Sequence, residues 1–326
     1  MPESMRYIQA VNAALTWALD SRDDTVYFGE DVAIPNGPFG ATKGLHKRFG
    51  AGRIFDTPIS ETGFLGMALG AAMTGMRPIA EIMYADFAFV AMDQIVNQIA
   101  NIRYSSGGRW KAPLVIRMQQ GYSPGACAQH SHSPEAYFAH TPGLRLALPA
   151  TADDAYQMLR TAVTVDDPVI VAEARMLYPI AGEVRTDVPV EPMGGARVLR
   201  EGPDVTVVAW SRMVPAALEA AETLAAEGIR AEVIDLRWLN PLDFETVGAS
   251  VSKTGRLVVA HEANLTGGFG AEIAARVADE CFEDLRSPVA RVAAPDVPMP
   301  AAPVLQQAVV PEAVHVADTV RRTVHW

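Results

Sequence analysis

The sequence predicts an α/β protein with largely parallel sheets, arranged as two consecutive domains. Short apolar segments of the kind that form buried strands alternate with segments whose apolar residues recur at helical spacing, a pattern typical of parallel sheets covered by helices. At 326 residues the chain is about twice the usual size of one domain. The alternation is broken once, near the middle of the chain.

The first domain is predicted to span residues 1–182. Its elements follow in the order helix Ile8–Leu19, strand Thr25–Phe28, a buried helix and turn within 63–79, helix Met92–Arg103, strand Pro113–Arg117, helix Thr151–Val165 and strand Pro168–Ala172. Thr151 suits an N-cap, and Asp153 and Asp154 suit the positive end of the helix dipole. This order predicts one α/β domain with a largely parallel sheet.

A linker is predicted over residues 181–194, which contain two prolines and two glycines and no sustained apolar period. A second, smaller α/β domain is predicted over 195–326. Its elements are strand Val205–Trp210, helix Val214–Gly228, strands Ala231–Leu236 and Arg256–Ala260, helix Gly270–Cys281, strand Pro288–Val292 and a last helix.

Composition excludes several classes of protein. The net charge of −11 argues against nucleic acid or an anionic membrane as a partner. The most apolar stretch is interrupted by glycine and proline and is too short to span a bilayer, and no secretory leader is visible. Cys127 and Cys281 are too few for a disulfide framework or a four-cysteine zinc site. We therefore expect a cytoplasmic location.

Glu61 stands between a proline-containing turn and a glycine-rich helix. Its carboxylate can serve the helix dipole or it can serve chemistry, and spacing alone leaves both open. Gly63, Gly66 and Gly70 share one helix face, which indicates close helix–helix contact within the chain or across a subunit interface.

Histidines cluster at His130 and His132, with His140 nearby. A metal pair, a catalytic histidine and a hydrogen-bonded loop histidine are all compatible with this spacing, although no third zinc ligand is evident. The glycine-rich segment 267–270 follows a predicted strand but matches no phosphate-binding fingerprint, so it predicts a tight strand-to-helix turn.

Several motifs in order resemble one family over essentially the whole chain. They are Tyr27-Phe-Gly-Glu-Asp-Val32, Arg53-Ile-Phe-Asp-Thr-Pro-Ile-Ser-Glu61, Ala85-Asp-Phe87, Asp93-Gln-Ile-Val-Asn97, Arg103-Tyr-Ser-Ser-Gly-Gly108, Gln129-His-Ser131, Val233-Ile-Asp-Leu-Arg237 and Pro241-Leu-Asp243. The chain resembles the beta subunit of the thiamine diphosphate-dependent component of a 2-oxo acid dehydrogenase complex. The resemblance implies a transketolase-like pyrimidine-binding domain followed by a transketolase C-terminal-type domain.

The resemblance also implies roles for particular residues. Glu61 matches the glutamate that hydrogen-bonds the aminopyrimidine of the cofactor and thereby promotes loss of the thiazolium proton. Phe87 matches the aromatic residue that stacks on this ring, and Ile59 is expected to line the same pocket. His130 matches a histidine that orients the substrate carboxylate or takes part in acyl transfer to lipoyl, and Glu30 matches a second acidic position near the cofactor.

One motif of the family is missing from this sequence. The superfamily holds the diphosphate and its magnesium with a Gly-Asp-Gly motif, and none occurs here. The resemblance therefore implies that an alpha subunit supplies this half of the site, magnesium included, in an assembly of two alpha and two beta chains serving a lipoyl-bearing acyltransferase core. Some relatives also bind potassium through backbone carbonyls near the equivalents of Leu114 and Asp167.

The substrate is less well specified. The segments 131–140 and 261–269 resemble branched-chain members, whereas Met83 departs from the glutamine frequent in that group. We expect a branched-chain 2-oxo acid, with pyruvate and acetoin as alternatives. A split transketolase-like enzyme with another acceptor and a non-catalytic scaffold are the rival classes, and the presence of both Glu61 and His130 argues against the scaffold.

Overall fold

A computed structural model describes residues 2–326, and the chain divides into two compact units. The first unit contains the residues up to Gln120 together with Tyr137–Met193. The second contains Gly121–Ala136 and Gly194–Trp326. The units are therefore not continuous in sequence, because the segment Gly121–Ala136 belongs with the C-terminal part of the chain.

The first unit is built on parallel strands covered by helices. Its strands are β1 Glu3–Arg6, β2 Thr25–Gly29, β3 Ile54–Asp56, β4 Arg77–Ile82, β5 Val115–Gln120, β6 Arg145–Ala147, β7 Val169–Ala174 and β8 Ala181–Val184. The helices numbered through this part of the chain are α1 Tyr7–Ser21, α2 Leu45–Phe49, α3 Glu61–Met73, α4 Ile102–Ser105, α5 Glu135–Ala139 and α6 Ala152–Thr164.

Six of these strands lie side by side in the order β6-β7-β5-β4-β2-β3, and every neighbouring pair is parallel. The strands β2, β5 and β7 are buried along their whole length, which explains their continuous apolar sequence. The carboxyl ends of all six strands meet at one edge, which is where parallel sheets commonly bind ligands. The predicted fold class is confirmed.

Two elements of this unit differ from the sequence prediction. The predicted single helix Met92–Arg103 is instead a π-helix at Asp93–Ile99 followed by the short α4, and a 3₁₀ helix at Ala85–Ala91 precedes it. The predicted linker begins as strand β8, which pairs antiparallel with β1. Most side chains of β1 and β8 are not buried, so neither strand has the apolar alternation of a core strand. Backbone hydrogen bonds hold the two strands together.

The second unit contains a smaller sheet. Its elements are β9 Arg197–Arg200, β10 Val205–Ala209, α7 Met213–Ala226, β11 Ala231–Asp235, β12 Trp238–Asn240, α8 Phe244–Thr254, β13 Leu257–Asn264, α9 Gly270–Glu280, β14 Ala290–Ala294, α10 Pro303–Val309 and α11 Ala313–Val324. Five strands lie in the order β14-β13-β10-β11-β9, all parallel except β9. The chain moves from β10 to β11 on one side and later returns to β13 on the other, so the winding direction reverses at β10.

Within residues 2–326, no helix combines the length and the apolar character that a membrane span requires.

Candidate functional site

Glu61 is the first residue of α3 and follows β3 by a short turn. Its side chain is buried, with 5% of its surface exposed. The position at the helix N-terminus favours a negative charge, as the dipole interpretation expected. A carboxylate that serves only the dipole gains nothing from burial, however, so its surroundings decide what else it can do.

Glu30 lies beside Glu61 because the two residues follow neighbouring parallel strands. Glu30 comes directly after β2, and β2 pairs with β3. Burial, then the charge of Glu61 and a hydrogen bond with that carboxylate, raise the pKa of Glu30 to about 7. Glu30 is thus a buried carboxyl group that keeps a proton near neutral pH, and it lies next to the buried carboxyl group of Glu61.

An open pocket of about 370 Å³ lies at Glu61. It is lined by Ile59, Ser60, Glu61, Thr62, Phe87 and Val90. The ring of Phe87 is set by Tyr84, whose ring crosses it at 74° with the centroids 5.6 Å apart. Ile59 is 84% exposed, unusually high for an apolar side chain. The pocket offers apolar surface and one carboxylate, a combination that suits a flat, mainly apolar ring with a nitrogen on its edge.

Thr62 and Val90 were not among the residues that sequence reasoning selected. The Thr62 hydroxyl donates a hydrogen bond to the carbonyl oxygen of Val90 at 2.9 Å and so ties the start of α3 to the segment carrying Phe87. The available signal was the position of Thr62, directly after the predicted Glu61 in the same helical turn.

His130 belongs to the second unit. It ends a 3₁₀ helix at Ala128–His130 and is half-buried, while His132 is exposed. The structure therefore brings Glu30, Ile59, Glu61 and Phe87 together in the first unit, whereas His130 lies in the second unit.

Leu114 and Asp167, the residues that the resemblance links to potassium, both lie in the first unit. Within residues 2–326, no group of three or more histidine, cysteine, aspartate or glutamate side chains could hold a metal ion. The Leu114 carbonyl oxygen accepts a hydrogen bond from Val169 N at 3.0 Å. The Asp167 carboxylate pairs with Arg103 and, at 2.9 Å, with Arg145.

The glycine-rich segment after β13 packs against a buried histidine. A Cβ atom at Gly268 or Gly270 would lie 2.6 or 2.7 Å from ring atoms of His261, which is fully buried. Because the imidazole fills the space in front of the glycines, they provide close packing between strand and helix. This agrees with the predicted tight turn and not with a phosphate cradle.

Comparison with protein families assigns both halves of the chain. Residues 3–181 match the pyrimidine binding domain of transketolase, and residues 194–316 match the transketolase C-terminal domain.

Individual relatives cover the whole chain. The pyruvate dehydrogenase E1 component subunit beta of Leifsonia xyli subsp. xyli is 44% identical, over 99% of this chain and 96% of that protein. The 2-oxoisovalerate dehydrogenase subunit beta of Bacillus subtilis is 43% identical, over 93% of each chain. A solved structure described as a split gene transketolase, an inactive beta4 tetramer, is similar with a TM-score of 0.79 at 27% identity over 98% of both chains.

Proposed function

The chain belongs to the transketolase-like beta subunits of thiamine diphosphate-dependent 2-oxo acid dehydrogenases, and from this membership we propose the roles of its residues, its partners and its substrate. The reaction we propose is decarboxylation of a 2-oxo acid followed by acyl transfer to a lipoyl group. The observation that carries the residue assignment is the buried Glu30–Glu61 pair beside an open pocket with an apolar wall.

The pocket fits the pyrimidine half of the cofactor. Thiamine diphosphate, when bound, supplies a carbon nucleophile that accepts the 2-oxo acid and stores the electrons left by decarboxylation. We assign Phe87 and Ile59 to the faces of the aminopyrimidine, since both present apolar surface to the pocket. Ile59 would lose its unusual exposure when a ring covers it.

We assign Glu61 to proton exchange with the ring nitrogen. A buried carboxylate such as Glu61 can share a proton with a weakly basic nitrogen, and this exchange adjusts the basicity of the ring. Glu30 accepts or returns the proton of this pair, because its raised pKa lies near the working pH. The ordinary role of a dipole carboxylate does not account for the second buried acid.

We assign His130 to the substrate side of the reaction, where it orients the substrate carboxylate or takes part in transfer of the acyl group to lipoyl. A half-buried histidine can do either, because its ring nitrogens can donate or accept a hydrogen bond.

The absent Gly-Asp-Gly motif supports an alpha subunit as obligatory partner. We propose an assembly of two alpha and two beta chains in which alpha binds the diphosphate and magnesium. The acyl acceptor is a lipoyl-bearing acyltransferase core, and the location is the cytoplasm. A potassium ion at backbone carbonyls near Leu114 and Asp167 is a further expectation; the Leu114 carbonyl already accepts one hydrogen bond, and its second lone pair is the one such an ion would use.

A branched-chain 2-oxo acid is the proposed substrate, because the segments 131–140 and 261–269 resemble those of branched-chain members of the family. The two relatives described above act on pyruvate and on 2-oxoisovalerate at nearly equal identity, so both acids belong in the test, together with acetoin. The similar split transketolase makes a sugar-type acceptor the second candidate.

The experiment compares this chain alone with the chain co-purified with a Gly-Asp-Gly alpha subunit. We expect calorimetry to show weak thiamine diphosphate binding by the chain alone, and the assembly to consume 3-methyl-2-oxobutanoate and acylate a lipoyl domain. Tight magnesium-dependent binding without alpha would contradict the shared site. Turnover only with an aldose acceptor would assign the chain to the transketolase reaction instead.

A further inference from the structure

The segment Gly121–Ala136, here called the histidine loop, leaves the first unit directly after β5 and packs within the second. Its two ends are brought together, because Gly121 N donates a hydrogen bond to His132 O at 2.8 Å. Cys127 in the loop has a φ of 53°, which a non-glycine residue adopts only where its surroundings hold it. Something must therefore fix this loop in place.

The start of the loop is held by Glu262 on β13. The Glu262 carboxylate accepts a hydrogen bond from Tyr122 N at 2.5 Å, and its other oxygen accepts from Arg212 Nε at 2.6 Å. Gly121 has a φ of +78°, and a Cβ there would lie 2.5 Å from Glu262 Oε1. Only glycine allows the backbone to approach the carboxylate this closely.

Two further side chains hold the rest of the loop. Gln306 on α10 is buried; its Oε1 accepts from Gly125 N at 3.2 Å and its Nε2 donates to Ser123 O at 3.4 Å. Near the end of the loop, Trp210 donates its Nε1 hydrogen to the buried carboxylate of Glu135 at 3.2 Å. The Trp210 ring is in turn stacked on His261, with the centroids 5.2 Å apart.

These contacts lie where the winding of the sheet reverses. Trp210 directly follows β10 and Glu262 lies near the end of β13, the two strands on either side of the reversal. In doubly wound sheets this crevice is the usual place for a ligand. Here the chain's own loop contacts the side chains at this position, through Tyr122 on Glu262 and Glu135 on Trp210.

We infer that the second unit serves catalysis by holding the histidine loop in this crevice, with Glu262 and Gln306 as positioning residues for His130. The inference rests on the proposed function, because it takes the role of His130 from there. The anchoring itself is independent of the proposed function. The side chains of Glu262 and Gln306 accept hydrogen bonds from backbone groups of the loop, whatever His130 does.

The test measures hydrogen exchange in the full chain for Glu262→Ala and Gln306→Leu. Because Tyr122 N and Gly125 N donate to these two side chains, we expect exchange of peptides within 121–136 to rise at least about tenfold. Exchange of β10 should not change. Glu272→Ala is the matched control, since Glu272 is an exposed glutamate on α9 of the same unit. Unchanged loop exchange in both anchor variants would overturn the anchoring.

The second measurement is a double-mutant cycle in the complex with alpha. Glu262→Ala should lower turnover by about 10- to 100-fold in the native background and by less than about twofold in the His130→Ala background, because a positioning residue acts only through the group it positions. Equal losses in both backgrounds would overturn the positioning role. If His130→Ala alone retains full turnover, the proposed role of His130 fails, while the exchange result still decides the anchoring.

Discussion

A substitution of Glu61 distinguishes a catalytic role of this carboxylate from a purely structural role at the helix N-terminus. Glu61→Gln keeps the side-chain shape and a hydrogen bond but removes the ionisable group that accepts a proton. We expect exchange of the thiazolium proton in the assembled complex to slow by ~10² or more, with cofactor affinity nearly unchanged. Proton exchange followed by nuclear magnetic resonance measures this without requiring full turnover.

Glu183→Gln is the matched control for this substitution, since Glu183 is exposed in β8 of the same unit. If Glu61 only stabilised the helix dipole, its replacement would lower the stability of the chain by at most about 1 kcal/mol and would leave proton exchange unchanged. A native exchange rate in the Glu61→Gln complex would therefore show that the carboxylate has no catalytic role.

The partner carboxyl, Glu30, makes the stability of the chain depend on pH. Its folded pKa of about 7 lies above the ordinary value of 4.5, so between these pH values the folded chain keeps a proton that the unfolded chain has released. Stability is therefore lost as the pH rises through this window. Glu30→Gln removes this loss, so relative to the native chain its stability should rise between pH 4.5 and 8, by at most about 3 kcal/mol.

Denaturant unfolding of both proteins at several pH values measures this difference. Burial also raises the pKa of Glu135 to about 7, but that group is present in both proteins and cancels. A difference in stability that stays constant with pH would show that Glu30 is not the group responsible.

At the scale of elements, the segment after β8 is held along α6 and is not a free linker. Arg185 pairs with the Asp153 carboxylate and, at 2.8 Å, with Glu191. Arg160 and Thr161 of α6 donate to the carbonyl oxygens of Val188 and Glu191 at 3.0 and 2.7 Å. These side-chain contacts hold a stretch that has few apolar residues.

We expect Arg185→Ala to release the segment and to increase proteolytic cleavage within 185–193 several-fold, since cleavage requires local opening. Arg48→Ala is the control, because it removes a surface ion pair with Asp20 in the same unit. Limited digestion followed by mass spectrometry locates the cuts. First cuts inside 205–280 in either variant would contradict the two-domain organisation.

Regular elements were predictable where burial dictates the pattern. The helix predicted at Gly270–Cys281 is observed at Gly270–Glu280, and Thr151 caps α6 as predicted by accepting a hydrogen bond from Asp154 N. The short strand β1 was missed because its side chains are mostly exposed. The π-helix at Asp93–Ile99 was missed because its residues also fit an ordinary helical period.

Contacts between residues that are distant in sequence could not be predicted from the sequence in this way. Glu30 and Glu61 each follow a strand, and only the pairing of β2 with β3 brings them together. That adjacency is a property of the sheet order and leaves no periodic signal. The anchors of the histidine loop, Glu262 and Gln306, lie farther away still, and nothing in residues 121–136 indicates which side chains will bind its backbone.

For the whole molecule, the excursion of the histidine loop sets the order in which the protein can be completed during synthesis. The loop leaves the ribosome well before Trp210, Glu262 and Gln306, which hold it. Domains generally fold as they emerge, so β5 before the loop can pair with β7 after it while the loop is still without its contacts. The histidine is thus seated only after nearly the entire polypeptide has been made, and a nascent or truncated chain carries it without its support.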